Sequence, residues 1–336
     1  MIKRFLVDKT QQRLLELCPY RGHYASMRQL WVPYLELVEQ PNYRSPVINT
    51  DDFGVRYSHS PDGEMIGLEN IAGRSCNVVI GGSTVLGDAG VSSDTNTLTS
   101  HLARKTGTRW LNLGTRGAHI MQGLVRLLLH RSELSRVEHI VVFAGGNEWT
   151  TMSGLTTTKS GSFFRIEHLF RQINDWMCDS NKNGVAIKGG RKALGGLYQA
   201  TSDLVLSKAL AQESLTNALR GICDIARIMG ARISFVLQPV TLWTSRQEST
   251  EELELNELLR KRGGAFVRAE RAAPDVYSWL APMCETISND LGIPFLDSVK
   301  FLSQFPHDNE WLFVDHVHLT DLGCEIFADW LANEVK

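Results

Sequence analysis

Residues 77–87 read NVVIGGSTVLG, a β-branched run cut off by two glycines. Val78, Val79 and Ile80 have the pattern of a buried strand, and Gly81 and Gly82 stop it sharply before Ser83. In an open parallel α/β sheet the C-terminal edge of the strands is where ligands bind, which would place the Ser83 hydroxyl well for chemistry. The same residues also fit an ordinary tight turn, so the segment needs partners elsewhere in the chain.

Those partners exist. Near the C-terminus FVDHVHLTDLG puts Asp315 three residues before His318, just ahead of a helix starting near Thr320. A histidine that deprotonates a hydroxyl needs a carboxylate to fix its tautomer, and such a triad is recognised by roles whatever the chain order. Between these pieces, VEHIVVFAGGNEW is a strand running into Gly145, Gly146 and Asn147, and RWLNLGTRGAH is a strand ending in Asn112 before Gly114 and Gly117. Glycine N–H groups can face a ligand with no side chain in the way, as an anionic tetrahedral intermediate requires. With ARISFVLQP and IPFLDS, the strands fall near 77–80, 109–113, 139–144, 232–238 and 294–297 and alternate with helical patterns. The expectation is an α/β fold, a three-layer α/β/α sandwich around a five-stranded parallel sheet.

The four blocks in this order resemble those of the SGNH hydrolases, the GDSL esterase and lipase family. GGSTVLG is similar to the nucleophile block, NLGTRG to the second block, GGNE to the Gly-x-Asn-Asp block and DHVH to the Asp-x-x-His block. The resemblance covers residues 76–150, 230–240 and 310–335, and implies the flavodoxin-like strand order 2-1-3-4-5. It also implies Ser83, His318 and Asp315 as triad, and an oxyanion hole made by Ser83, Gly117 and Asn147, with Gly114 the weaker candidate for the glycine. Two positions depart from the family: Gly82 stands where Asp is usual before the nucleophile, and Glu148 where Asp follows the asparagine. The departure at Gly82 bears on how the nucleophile turn is held. Asp297, at the end of the fifth strand, is a rival carboxylate, but Asp315 is favoured by its spacing to His318; His316 is expected to be structural.

A net charge of −2 and 43% hydrophobic residues suit one substantial core and give nothing to steer the chain towards nucleic acid. Cys18, Cys76, Cys178, Cys223, Cys284 and Cys324 are scattered without a C-x-x-C pair, so neither a zinc site nor a disulfide framework is expected. No metal or organic cofactor is needed for the chemistry above. The N-terminal apolar run is too short for a signal peptide or a membrane span, and a cytoplasmic location is the expectation.

Residues 1–45 read as a helical N-terminal extension, a brace or a partner surface, ahead of an α/β domain over 46–336. Residues 45–58 suggest an added edge strand, with Asp51, Asp52 and Arg56 as turn and surface residues and a substrate contact from Arg56 as the alternative. Asp94 is a candidate helix cap, and His101, His119 and His130 read as surface or helix-end residues. Two insertions, near 150–200 and 240–275, sit beside the expected site as lid, acyl-binding wall or solvated surface. The first contains the basic, glycine-rich NKNGVAIKGGRKALGG, in which Lys182, Lys188, Arg191 and Lys192 could meet a phosphopantetheine or coenzyme A phosphate.

The expected function is a serine esterase or deacylase working through an acyl-enzyme on a small ester. The first alternative is an acyltransferase or thioesterase that takes its acyl group from an acyl carrier protein, which the basic segments 182–192 and 260–271 favour. The second is a binding or regulatory protein on the same fold.

Overall fold

The computed structural model describes residues 9–32, 35–149, 204–262, 270, 273, 275–304 and 308–335. Two short helices, α1 (Lys9–Leu17) and α2 (Arg21–Ser26), lead into a hairpin of β1 (Gln29–Val32) and β2 (Glu36–Glu39). A second antiparallel pair, β3 (Ser58–His59) and β4 (Met65–Ile66), precedes the main sheet. There follow β5 (Cys76–Gly81), α3 (Ser83–Leu86), α4 (Leu98–Thr106), β6 (Trp110–Gly114), α5 (Ile120–Leu129) and β7 (Val137–Ala144). After the undescribed stretch come α6 (Leu204–Met229), β8 (Arg232–Leu237), α7 (Thr250–Arg262), α8 (Tyr277–Leu291), β9 (Phe295–Asp297), α9 (Ser298–Gln304) and α10 (Asp321–Glu334).

The five-stranded sheet runs β6-β5-β7-β8-β9 with every neighbouring pair parallel. Numbered along the chain within the sheet, this is the order 2-1-3-4-5. Period-two alternation divides each strand between two cores. Val78, Ile80, Ile140 and Val142 face α5, α6 and α8, where they meet Leu127, Leu219, Ile222 and Leu280. Val79, Val141, Phe143 and Val236 face the other way, onto Leu98 and Leu102 of α4 and Phe327 and Leu331 of α10. With both faces covered, all five strand C-termini open on one edge, and the site lies there.

Several expectations need correction. Residues 29–32 and 36–39 pair as a hairpin rather than forming helix, in the register Gln29↔Glu39 and Leu30↔Val38. Over so short a window the apolar spacing at Leu30, Trp31, Tyr34 and Leu35 fits a helical period and a strand pair alike. Residues 45–58 add no edge strand to the main sheet; they make a buried turn bridged between Thr50 and Arg56. Asp51 and Arg56 are fully buried rather than on the surface, while Asp52 is exposed. Asp51 is consumed locally, its carboxylate accepting the N–H groups of Phe53, Val55 and Leu68 at 2.9, 2.8 and 2.7 Å. Thr97, not Asp94, caps α4, accepting from Ser100 N at 3.1 Å. His101 is buried as well, on the inner face of α4, whereas His119 and His130 stand at the two ends of α5.

Cys18, Cys76, Cys223, Cys284 and Cys324 are free and buried. Among the described residues no helix is long and apolar enough to cross a membrane. Residues 150–200, with Lys182, Lys188, Arg191, Lys192 and Cys178, lie outside the described residues, as do Arg268 and Arg271. The described part of the second insertion is no loose surface loop. Leu255, Leu258 and Leu259 of α7 pack with Leu14, Ala89 and Val314, and the buried Glu252 carboxylate accepts the N–H groups of Leu312 and Phe313, both at 2.9 Å.

Candidate active site

Ser83 is the first residue of α3, directly after β5, with Gly82 in extended backbone at the cap. Its Oγ lies 2.7 Å from Nε2 of His318, and Nδ1 of the same ring lies 2.7 Å from Oδ2 of Asp315. The Asp-x-x-His spacing works because the loop closes on itself. Phe313 bridges Leu319, and Val314 N–H donates to the His318 carbonyl at 2.9 Å. Inside that loop Oδ1 of Asp315 accepts the N–H groups of Val317 and His318 at 3.0 and 2.9 Å, which leaves Oδ2 for the ring. Since Asp315 takes the proton on Nδ1, Nε2 is free to accept from the Ser83 hydroxyl.

The electrostatics follow from this packing. Burial works to raise the Asp315 carboxyl, yet the charge and hydrogen bond of His318 and the two backbone N–H groups outweigh it and hold the group well below the carboxylate range. Burial likewise disfavours a charged His318, and the Asp315 carboxylate beside it more than compensates, so the imidazole is raised above its ordinary 6.5. Thr84 Oγ1 donates to the Val317 carbonyl at 3.0 Å and accepts from Gln238 Nε2 at 2.8 Å, tying α3 to the histidine loop and to the end of β8.

Two backbone donors of this edge stand unengaged. Neither Ser83 N–H, at the start of α3, nor Gly117 N–H has a hydrogen-bond partner among the described residues. Gly117 has φ +69° in the turn after β6, closed by Ala118 N–H donating to the Thr115 carbonyl at 3.1 Å. Asn147 follows β7, and its side-chain amide donates to the Ala118 carbonyl at 2.7 Å, which brings it against that turn. A Cβ on residue 82 would lie 2.2 Å from Asn147 Nδ2, so the amide rests on the bare Cα of Gly82. That contact accounts for glycine at position 82. Gly114 lies elsewhere: its N–H is taken by Asn112 Oδ1 at 2.9 Å.

Glu148 is fully buried behind this group and accepts the N–H groups of Ile120 and Gly145, both at 2.7 Å, with burial raising its carboxyl. Asp297 is far from the histidine in role. It takes the Tyr277 hydroxyl at 2.7 Å and the N–H groups of Val299 and Lys300, both at 3.0 Å, at the start of α9. His316 turns the other way, towards Thr241 Oγ1 at 3.2 Å and the Glu270 carboxylate at 3.4 Å.

What the sequence did not reveal is the support. Arg56, read as a surface residue, is fully buried beneath α3; its Nη1 donates to the Leu86 and Gly87 carbonyls at 2.7 and 3.2 Å and to Tyr24 Oη at 2.9 Å. Its Nε pairs with Asp94 at 2.9 Å. Arg116, next to Gly117, is held by Glu39 of β2, with Nε to Oε2 at 2.9 Å. Only the Gly-x-Arg and Thr-Arg-Gly strings hinted at these residues, and their partners lie tens of positions away.

Fold and site together define a doubly wound α/β protein with a hydrogen-bonded serine–histidine–aspartate chain at the carboxyl edge of its sheet. The strand order is the one implied by the resemblance to SGNH hydrolases. Solved structures similar to this chain include the lipase/acylhydrolase from Enterococcus faecalis, at 13% identity and TM-score 0.43 over 78% of this chain and 95% of that one. A carbohydrate acetylesterase family member from Sinorhizobium meliloti is similar at 14% identity and TM-score 0.43, over 78% and 97%. A GDSL-like lipase from Bacteroides thetaiotaomicron gives 13% and 0.40, over 78% and 89%. No protein-family model matches the chain, and no curated protein does. The fold rests on the strand order and register above.

Proposed function

We propose that the protein is a serine-dependent acyl hydrolase of the SGNH kind, acting on carboxylic esters. The observation that carries this reading is the Ser83–His318–Asp315 chain, with 2.7 Å at each link. Ser83 Oγ attacks the ester carbonyl while His318 Nε2 takes its proton, and the C–O double bond opens to an oxyanion. Ser83 N–H, Gly117 N–H and the Asn147 amide are the donors for that oxyanion. Collapse expels the alcohol, which leaves with the proton from His318, and the acyl group stays on Ser83. Water, deprotonated by the same imidazole, then releases the acid and restores the serine.

Transfer to an alcohol or amine needs only a different second nucleophile. Nothing in the described residues favours a carrier-bound donor: Arg260 and Lys261 are paired with Glu270 and Glu257 at 2.7 Å each.

The test is labelling of the purified protein by a fluorophosphonate, beside Ser83→Ala and His318→Ala. Labelling of the parent alone, together with hydrolysis of p-nitrophenyl acetate, is the expected result. A folded parent that takes no label and cleaves no ester would leave the binding-protein alternative standing.

A further inference from the structure

Every polar atom of Arg116 is bound to residues 24–39. Its N–H donates to Glu39 Oε1 at 2.9 Å, and its guanidinium reaches Glu39 Oε2 and the carbonyls of Tyr24 and Met27, these last at 3.0 and 2.9 Å. Its own carbonyl accepts from Gln29 Nε2 at 2.9 Å, and the second proton of that amide reaches Glu39 Oε1 at 3.1 Å. Glu39 is fully buried, so this pairing is shielded from solvent.

The carbonyl matters most, because it belongs to the peptide unit that also carries Gly117 N–H. Residues 115–118 form a turn closed from Thr115 O to Ala118 N, with φ +69° at its third residue and none of the positive-φ strain at Arg116. That is the signature of a type II turn, which differs from type I by a flip of its central peptide. The peptide is planar and trans, so its C=O and N–H point in opposite directions. Whatever anchors the Arg116 oxygen therefore aims the Gly117 hydrogen.

We infer that Gln29, on the N-terminal hairpin, is a positioning residue for the oxyanion hole. It holds the 116–117 peptide in the flip state that presents Gly117 N–H beside Ser83, and the buried Glu39 fixes Gln29 and Arg116 as one unit. The N-terminal extension is thereby part of the catalytic apparatus. The inference rests on the acyl-hydrolase reading above.

The experiment compares Gln29→Met, which keeps the volume and loses the donor, with Gln29→Lys, which can still donate to the Arg116 carbonyl and pair with Glu39. Leu30→Ser, on the same hairpin at an exposed position, is the control for a merely structural effect. Steady-state hydrolysis of p-nitrophenyl acetate, the rate of fluorophosphonate labelling and thermal melting are measured on each. Gln29→Met is expected to lose about tenfold or more in kcat, short of the 10²–10³ that follows removal of a whole oxyanion donor. Its KM, its pH profile and its melting temperature stay near the parent's, and Gln29→Lys recovers most of the rate. Parent-like kcat in Gln29→Met would overturn the inference, as would a loss matched by Leu30→Ser or by a fall in melting temperature. A parent that takes no label and cleaves no ester fails the functional reading itself and is told apart from these outcomes by that alone.

Discussion

His318 can accept the Ser83 proton only while its imidazole is neutral, and the Asp315 carboxylate raises its pKa above 6.5. Activity therefore falls as pH drops through that raised value, and the acid limb of kcat/KM lies above pH 6.5. Asp315→Asn removes the charge that raises it and leaves burial, which lowers it. The limb is expected to move to lower pH, with kcat on the plateau down by about 10⁴ because the amide favours the wrong tautomer. A pH–rate profile of the two proteins checks both. Gly82 gives a second expectation. A Cβ there would sit 2.2 Å from Asn147 Nδ2, so Gly82→Ala must push the amide off its place. The expected loss is about 10²–10³ in kcat, the scale of a missing oxyanion donor, with the triad pH profile retained. The residues proposed for the triad and the hole were nameable from the sequence through its resemblance to the SGNH blocks, because each block is short and local. Why residue 82 must be glycine was not, because the clash comes from a residue 65 positions on.

At the scale of elements, α3 is a single turn whose last carbonyls would be orphans without Arg56. The guanidinium satisfies Leu86 and Gly87, stacks over Tyr24 and pairs with Asp94, all without solvent. Arg56→Met leaves Asp94 buried and unpaired, and the expected cost is about 3–5 kcal/mol, read from denaturant melts. Replacing both members, as in Arg56→Met with Asp94→Leu, should recover part of that loss, since no lone charge remains. The polar, turn-rich segment around Asp51–Arg56 looked like surface in the sequence. Its burial depends on Tyr24, Val47 and Asp94 closing over it, and those contacts carry no local signal. The pairing of β1 with β2 is hidden from the sequence for a related reason: with few residues per strand, pairing partners rather than periodicity decide the element.

Across the whole molecule, the two cores hold histidines that must stay neutral. His101 and His139 are buried, against Arg104 and Ser234 respectively, and burial lowers each to about 4 from 6.5. The unfolded chain binds these protons first, so the stability they contribute is present above pH 6.5 and is lost as pH falls towards 4. His318 has the opposite sign: its contribution is present at acid pH and fades as pH rises through its raised value. Urea midpoints are therefore expected to fall between pH 6.5 and 4, and less steeply in His101→Gln and His139→Gln.

By itself the sequence determined the five strands and their alternation with helices, and through its resemblance to the SGNH blocks it singled out Ser83, His318, Asp315, Gly117 and Asn147 as candidates. Those are local properties: β-branched runs, glycine stops, and a spacing of three between an aspartate and a histidine. Only the tertiary structure decided why residue 82 is glycine, and that Gln29, Glu39, Arg56 and Arg116 hold the site from behind. The contacts that do this join positions from about thirty to nearly ninety apart, and a buried charge or amide shows its partner only once the chain has closed around it.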